Sequence, residues 1–235
     1  MNKRLLRRYC SNRCPVVKRR RPHRRLTLLR LVLRRGKAQM SDTKDTSRAE
    51  ATRARLAEAA VDAFAERGYH GTTTRDIASA AGMSPAALYV HHNSKEELLY
   101  LISKAGHEQA LTVLRQAVDA SEDPVEQLRA VMRGFVEHHV RTHTSARIVN
   151  YELAALSPQH LAEMAGIRSE IDALFSDLVN RGISTGAFHT RYPRMATVAL
   201  QSLGIDIARW YREGGWSEEE IADGYVDIAL RIVGA

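Results

Sequence analysis

The sequence predicts an all-α fold of about nine helices, on three observations. From residue 47 onward, apolar residues recur at the three- and four-residue spacing of helices packed by one face. Ser, Thr or Asp followed by Pro or by an acidic residue three places on stands at most of the breaks between these stretches. No segment alternates apolar and polar residues as a strand does, and no turn signal joins two such segments.

Taken in order, Ser47-Arg-Ala-Glu50 has the spacing of a capping box, in which Ser accepts from a free helix N–H and Glu reaches back. The stripe Leu56, Ala59, Ala60, Ala63 and Phe64 follows, and Gly68 supplies a C-terminal stop. Thr73-Thr-Arg-Asp76 starts a short second helix that carries Ile77 and Ala78 and ends at Ala81-Gly82. Ser84-Pro85 opens a third, with Pro at a first-turn position where its missing N–H costs nothing. Ser94-Lys-Glu-Glu97 launches a longer fourth. Asp123-Pro124, Ser157-Pro158 and Tyr192-Pro193 mark later starts, Gly186 and Gly214-Gly215 mark stops, and Ser217-Glu-Glu-Glu220 begins the last helix.

The formal charge of +8 misleads about partners. Of 35 Lys and Arg, 15 fall in residues 1–40, which hold no Asp or Glu; the remaining 20 face all 27 acidic residues, so the body is net −7. Any contact with nucleic acid must come from where a few basic residues sit, not from bulk charge. The apolar run Leu26–Leu33 is too short to span a bilayer, and Arg30 interrupts it as a signal-peptide core. Met40-Ser-Asp reads as a natural start, so residues 1–46 are expected to be a basic extension, disordered or untranslated. Cys10 and Cys14 lie within it without a second pair for a metal site.

The segment Thr73–Lys95 carries the functional signal. Two short helices around a tight turn at Gly82 fit a helix-turn-helix whose second helix enters the DNA major groove. Ile77, Ala78, Ala81, Met83 and Leu88 are apolar where these helices must pack on the Phe64 face. Ala86 and Ala87 are small, which lets the helix backbone approach base edges. Arg75 offers a fork-shaped donor pair suited to guanine. Tyr89 offers a rigid hydroxyl for a phosphate oxygen, and Lys95 stands at a helix N-terminus, which itself favours phosphate.

The run FAERGYHGTTTRDIASAAGMSPAALYVHHNSKEELL, residues 64–99, closely resembles the TetR-family signature. That signature is a first helix ending Phe-x-x-x-Gly-Tyr, then Thr-Thr, Ile-Ala, Ala-Gly, Leu-Tyr-x-His-Phe and Lys-Glu-x-Leu. The resemblance implies a bacterial, cytoplasmic and nucleoid-associated homodimer that binds an operator duplex and answers to a small-molecule effector. It implies phosphate contacts at Thr73, Tyr89 and Lys95, and positions at or near the bases for Arg75, Ser84, Pro85, Ala86 and His91. His92 departs from the pattern, standing where Phe is common.

On this reading residues 47–105 form the DNA-binding domain and 106–235 a ligand-binding and dimerisation domain. The stripes Leu200, Leu203, Ile207 and Trp210, and Ile221, Tyr225, Ile228 and Ile232, have heptad-like spacing and are expected to form the dimer seam. Leu111, Leu114, Phe135, Tyr151, Leu174, Phe175 and Leu178 are the expected lining of a mostly apolar pocket. The run from Ile205 to Tyr225 is similar to actinobacterial repressors of lipid or sterol catabolism that answer to CoA thioesters, which implies an apolar, acyl-CoA-like effector. His139 and His143, spaced i, i+4, raise the alternative of a helical metal-dependent enzyme. With no H-E-x-x-H pattern and no third ligand evident, they and His138 read instead as a solvated histidine face, and neither catalysis nor a cofactor is expected.

Overall fold

The computed structural model describes the backbone of residues 43–235 and the side chains of residues 48–235. The basic extension and its two cysteines lie outside the described residues. Nine α-helices follow in order: α1 Thr43–Arg67, α2 Thr74–Ala80, α3 Pro85–His91, α4 Lys95–Val118, α5 Pro124–Arg141, α6 His143–Tyr151, α7 Pro158–Ser184, α8 Pro193–Trp210 and α9 Glu218–Val233. A 3₁₀ turn, Leu153–Ala155, links α6 to α7. No described residue lies in a strand, and no described helix is long and apolar enough to cross a membrane.

Local capping explains most helix starts. The Asp76 N–H donates to Thr73 Oγ1 at 3.2 Å, and the Thr73 N–H returns a bond to the Asp76 carboxylate at 2.8 Å. Ser217 and Glu220 form the same reciprocal box at α9. Ser84 and Ser157 cap α3 and α7, each followed by Pro in the first turn. Ser94 caps α4, but the Glu97 carboxylate accepts from the Asn93 N–H, one residue earlier than a capping box requires. The Ser47–Glu50 box is not a start at all: α1 begins at Thr43, so Ser47 lies inside the helix. The break between α5 and α6 has no capping signal, since Thr142 makes no side-chain cap bond.

Two cores hold the chain. Leu56, Ala60, Phe64, Ile77, Leu88, Leu98 and Leu99 bury together among α1–α4. The same cluster includes Ile148 and Val149 of α6 and Met164 of α7, so the core of α1–α4 is completed by helices beyond residue 105. The second core joins α4, α5, α7, α8 and α9 around Leu114, Leu128, Met132, Phe135, Phe175 and Leu200. α4 runs through both. Gly106 on α4 permits close contact with α6, because a Cβ there would stand 2.9 Å from Val149 Cγ2.

Candidate nucleic-acid interface and effector cavity

The helix-turn-helix forms as the residues require. Gly82 turns the chain at φ +67°, a conformation open to glycine without a Cβ clash. Ile77, Ala78 and Leu88 are fully buried, fixing α2 and α3 against α1. Thr73, Arg75, Ser84, Pro85, Ala86 and Tyr89 are all exposed, while His91 and Lys95 are half-buried. Tyr89 is 54 % exposed and its hydroxyl shares a 3.2 Å hydrogen bond with Thr74 Oγ1, so it is poised on the surface rather than in the core. Asp76 is held by Thr73 and by Arg67 at 3.9 Å. Its carboxyl lies below the ordinary range, chiefly through the Thr73 hydrogen bonds.

Lys95 does more than stand at a helix start. Its ammonium donates to the Tyr69 and Thr72 carbonyls at 2.9 Å each and lies 4.2 Å over the Tyr69 ring. It therefore clamps the α1–α2 loop to α4. Two residues that sequence reasoning missed also matter. Arg55 of α1 donates to the Ala81 carbonyl at the end of α2, a contact across 26 residues that no local pattern announces. Val90 shares the Ala86–Tyr89 face of α3 and is 78 % exposed, an apolar side chain on the surface expected to meet DNA.

His92 is buried. It is 3 % exposed, and neither ring nitrogen has a hydrogen-bond partner within the chain. Burial keeps it neutral, pushing its pKa below the usual histidine value against the pull of Glu97.

Behind this unit lies a cavity of about 510 Å³, within the size range of small-molecule sites. Glu58, Val61 and Asp62 of α1, Ile102, Gly106 and His107 of α4, Phe135, His138 and His139 of α5, and Ala146 and Val149 of α6 line it. Arg168, Ile171 and Asp172 of α7 and Gln201 and Ile205 of α8 also line it. Of the seven residues expected to line a pocket, only Phe135 does so. Leu111, Leu114, Phe175 and Leu178 are buried in the second core, Leu174 packs against that core, and Tyr151 is 50 % exposed. Long apolar side chains fill cores, and the cavity exists where smaller and polar ones leave space.

The histidines are likewise not a solvated face. His107, His138 and His139 are 5 %, 8 % and 4 % exposed. Burial is the main cause that pushes His138 down to about 3 and His139 down to about 4, and it lowers His107 as well, so all three are neutral. His139 lies in the last turn of α5 while His143 begins α6, and Thr142 breaks the helical face that would align them. Among the described residues no three His, Cys, Asp or Glu are grouped to hold a metal ion.

The expected dimer seam also divides. Leu200 and Ile207 are fully buried and Ile221 is 4 % exposed, so these three face the chain's own core. Leu203, Trp210, Tyr225 and Ile232 are half-buried, and Ile228 is 43 % exposed. The apolar surface of α8 is carried instead by Met195 and Val198, 70 % and 61 % exposed, which the heptad count passed over.

Comparison with known proteins agrees with this architecture. Residues 56–100 match the bacterial regulatory protein model of the tetR family, and residues 121–233 match the tetracyclin repressor-like C-terminal domain. The HTH-type transcriptional repressor KstR2 of Mycobacterium tuberculosis is 30 % identical over 187 residues, covering 76 % of this chain and 90 % of that protein. A tetR-family regulatory protein from Rhodococcus RHA1 superposes with a TM-score of 0.74 at 38 % identity, covering 77 % of this chain and 96 % of that one. AibR, solved with isovaleryl coenzyme A and operator DNA, superposes with a TM-score of 0.70 at 26 % identity, covering 75 % and 97 %. With its helix-turn-helix, its C-terminal helical domain and these relatives, the chain belongs to the TetR family of DNA-binding transcriptional regulators.

Proposed function

We propose that the protein is a homodimeric repressor that leaves a palindromic operator when a small acyl-CoA-like effector enters the cavity. One observation carries this reading. α6 presents Ala146 and Val149 to the cavity while Ile148 and Val149 belong to the core of the DNA-binding unit. Val61 of α1 lines the same cavity. A ligand that moves α6 therefore moves the floor of the helix-turn-helix, and its differential affinity for the two arrangements sets the loss of DNA affinity.

Thr73, Tyr89 and the free donor capacity of Lys95 serve phosphates in this reading. Arg75, Ser84, Pro85, Ala86 and His91 lie over the bases, with Val90 beside them for a thymine methyl. Two such surfaces one DNA turn apart, roughly 34 Å, require a dimer. The exposed Met195, Val198 and Ile228, flanked by Leu203, supply an apolar face for it on α8 and α9. An acyl-CoA-like effector is supported by the similarity to AibR and by the apolar share of the lining, Ile102, Phe135, Ile171 and Ile205.

Gel-shift titration of the operator complex with acyl-CoAs and free fatty acids tests the reading, with release by a member of the panel as the expected result. Tighter DNA binding on ligand addition would indicate an activator on the same scaffold instead. Met195→Glu with Ile228→Glu should yield a folded monomer that has lost operator binding, because paired carboxylates cannot be buried in an apolar seam. A dimer of unchanged mass would place the seam elsewhere.

A further inference from the structure

The cavity's imidazoles share a feature that constrains what can bind there. His107 Nδ1 lies 2.8 Å from the Ser103 carbonyl oxygen. A carbonyl only accepts, so Nδ1 carries the proton, and in a neutral imidazole Nε2 is then a bare lone pair. That Nε2 is buried and has no hydrogen-bond partner within the chain. His139 repeats the arrangement, its Nδ1 2.9 Å from the Phe135 carbonyl oxygen, and His143 does so against Val140 at 2.9 Å. His107 and His139 thus give their ring proton to the backbone, and His107 keeps a buried acceptor that nothing in the chain meets.

At His107 Nε2 a ligand group that only accepts is penalised and one that donates is favoured, because a buried acceptor left unmatched loses its hydration without return; donors such as Gln109, Asn150, Arg168 and Gln201 line the cavity elsewhere. Beside His107 itself the Arg168 guanidinium acts with the same sign as a cationic donor would, while the carboxyl groups of Glu58, Asp62 and Asp172 lie elsewhere on the lining. A metal ion is disfavoured because no three ligating groups converge among the described residues. The group that suits His107 is therefore a neutral donor, carried on a body that fits about 510 Å³ and meets Ile102, Phe135 and Ile171.

We infer that the cavity is selective for a hydroxylated apolar ligand, whose O–H donates to His107 Nε2. This rests on the reading that the cavity is the effector site, and it specifies the effector: its apolar part carries an alcohol rather than only carbonyl groups.

The test uses three probes of nearly equal size, 2-decanol, 2-decanone and 2-methoxydecane, titrated calorimetrically into the full-length protein near neutral pH. The alcohol should bind about tenfold or more tightly than either acceptor-only analogue. In His107→Leu the three affinities should converge within about twofold, chiefly through loss of alcohol binding. His107→Gln, which retains an acceptor oxygen, should keep a preference for the alcohol. Ketone or ether binding as tight as the alcohol, no binding by the alcohol, or a preference that survives His107→Leu would overturn the inference. The comparison of the three probes in the wild-type protein decides the matter even if a variant fails to fold. Operator release is read separately by gel shift. An alcohol preference without release would uphold this inference and contradict the effector reading, whereas release by an acyl-CoA with no alcohol preference would do the reverse.

Discussion

The DNA-facing surface and the cavity are built in opposite ways. The first is local: its eight expected residues lie between Thr73 and Lys95, and six of them are open to solvent. Its framework is two seven-residue helices with satisfied caps and a buried apolar face. The second is assembled from α1, α4, α5, α6, α7 and α8, and its walls hold three buried neutral imidazoles. A surface that must meet a fixed partner, the duplex, is specified by short-range signals. A cavity meets a variable ligand and is specified by tertiary packing. The two regions should therefore fail differently when perturbed.

Acid should produce the largest effect, and it should act first on the cavity. The His138 and His139 values of about 3 and about 4 lie below the ordinary 6.5. The unfolded chain therefore takes up protons before the folded one as pH falls. Their contribution is fully present above about pH 6.5 and is lost as pH falls to about 4 for His139 and about 3 for His138. Each imidazole costs about 1.4 kcal/mol per pH unit in that window, on the order of 4 kcal/mol for the pair at pH 5. Thermal unfolding at pH 5 and at pH 7.5 measures this. The double variant His138→Gln with His139→Gln should flatten the dependence; an unchanged pH profile would mean that these rings do not control acid stability.

Lys95→Ala should come next. It removes an ammonium bonded to two carbonyls, a loss of about 1.5–3 kcal/mol that falls on the folding of the DNA-binding unit. Denaturant unfolding should show the loss, with weaker binding to every duplex. Unchanged stability with weaker binding would make Lys95 a phosphate contact alone.

Arg75→Ala should have the smallest structural effect and the sharpest functional one. The side chain is exposed, so stability should hold, while operator affinity falls by about 1–3 kcal/mol and affinity for a scrambled duplex changes little. Equal losses on both duplexes would move Arg75 from the bases to the backbone.

The same contrast explains what was legible in the sequence. Thr73, Ser84, Asp123, Ser157 and Ser217 announced their helices because capping is decided within three residues. Ser47 misled because its spacing with Glu50 also occurs inside a helix, and α1 starts earlier. The α5–α6 break at Thr142 carried no Gly, Pro or capping bond, so His138, His139 and His143 were read as one helical face. The stripes on α8 and α9 were real, but apolar spacing reports that a face is buried and not by what. Leu200, Ile207 and Ile221 turn to their own core, while Met195 and Val198 lie outside the counted register. The cavity was unreadable because its lining residues are smaller or more polar than the leucines and phenylalanines that attract attention, and only the fold brings them together.

If α6 couples the cavity to the DNA-reading surface, the coupling between the two sites must be reciprocal. The direct measurement is therefore a pair of affinities. Isovaleryl-CoA, or whichever acyl-CoA in the panel releases DNA best, is titrated into free protein and into protein saturated with a palindromic duplex from upstream of its own gene. The duplex is then titrated with and without that ligand. Each should weaken the other by the same factor, about 5–150-fold. A ligand that binds in the cavity and leaves operator affinity unchanged would contradict it.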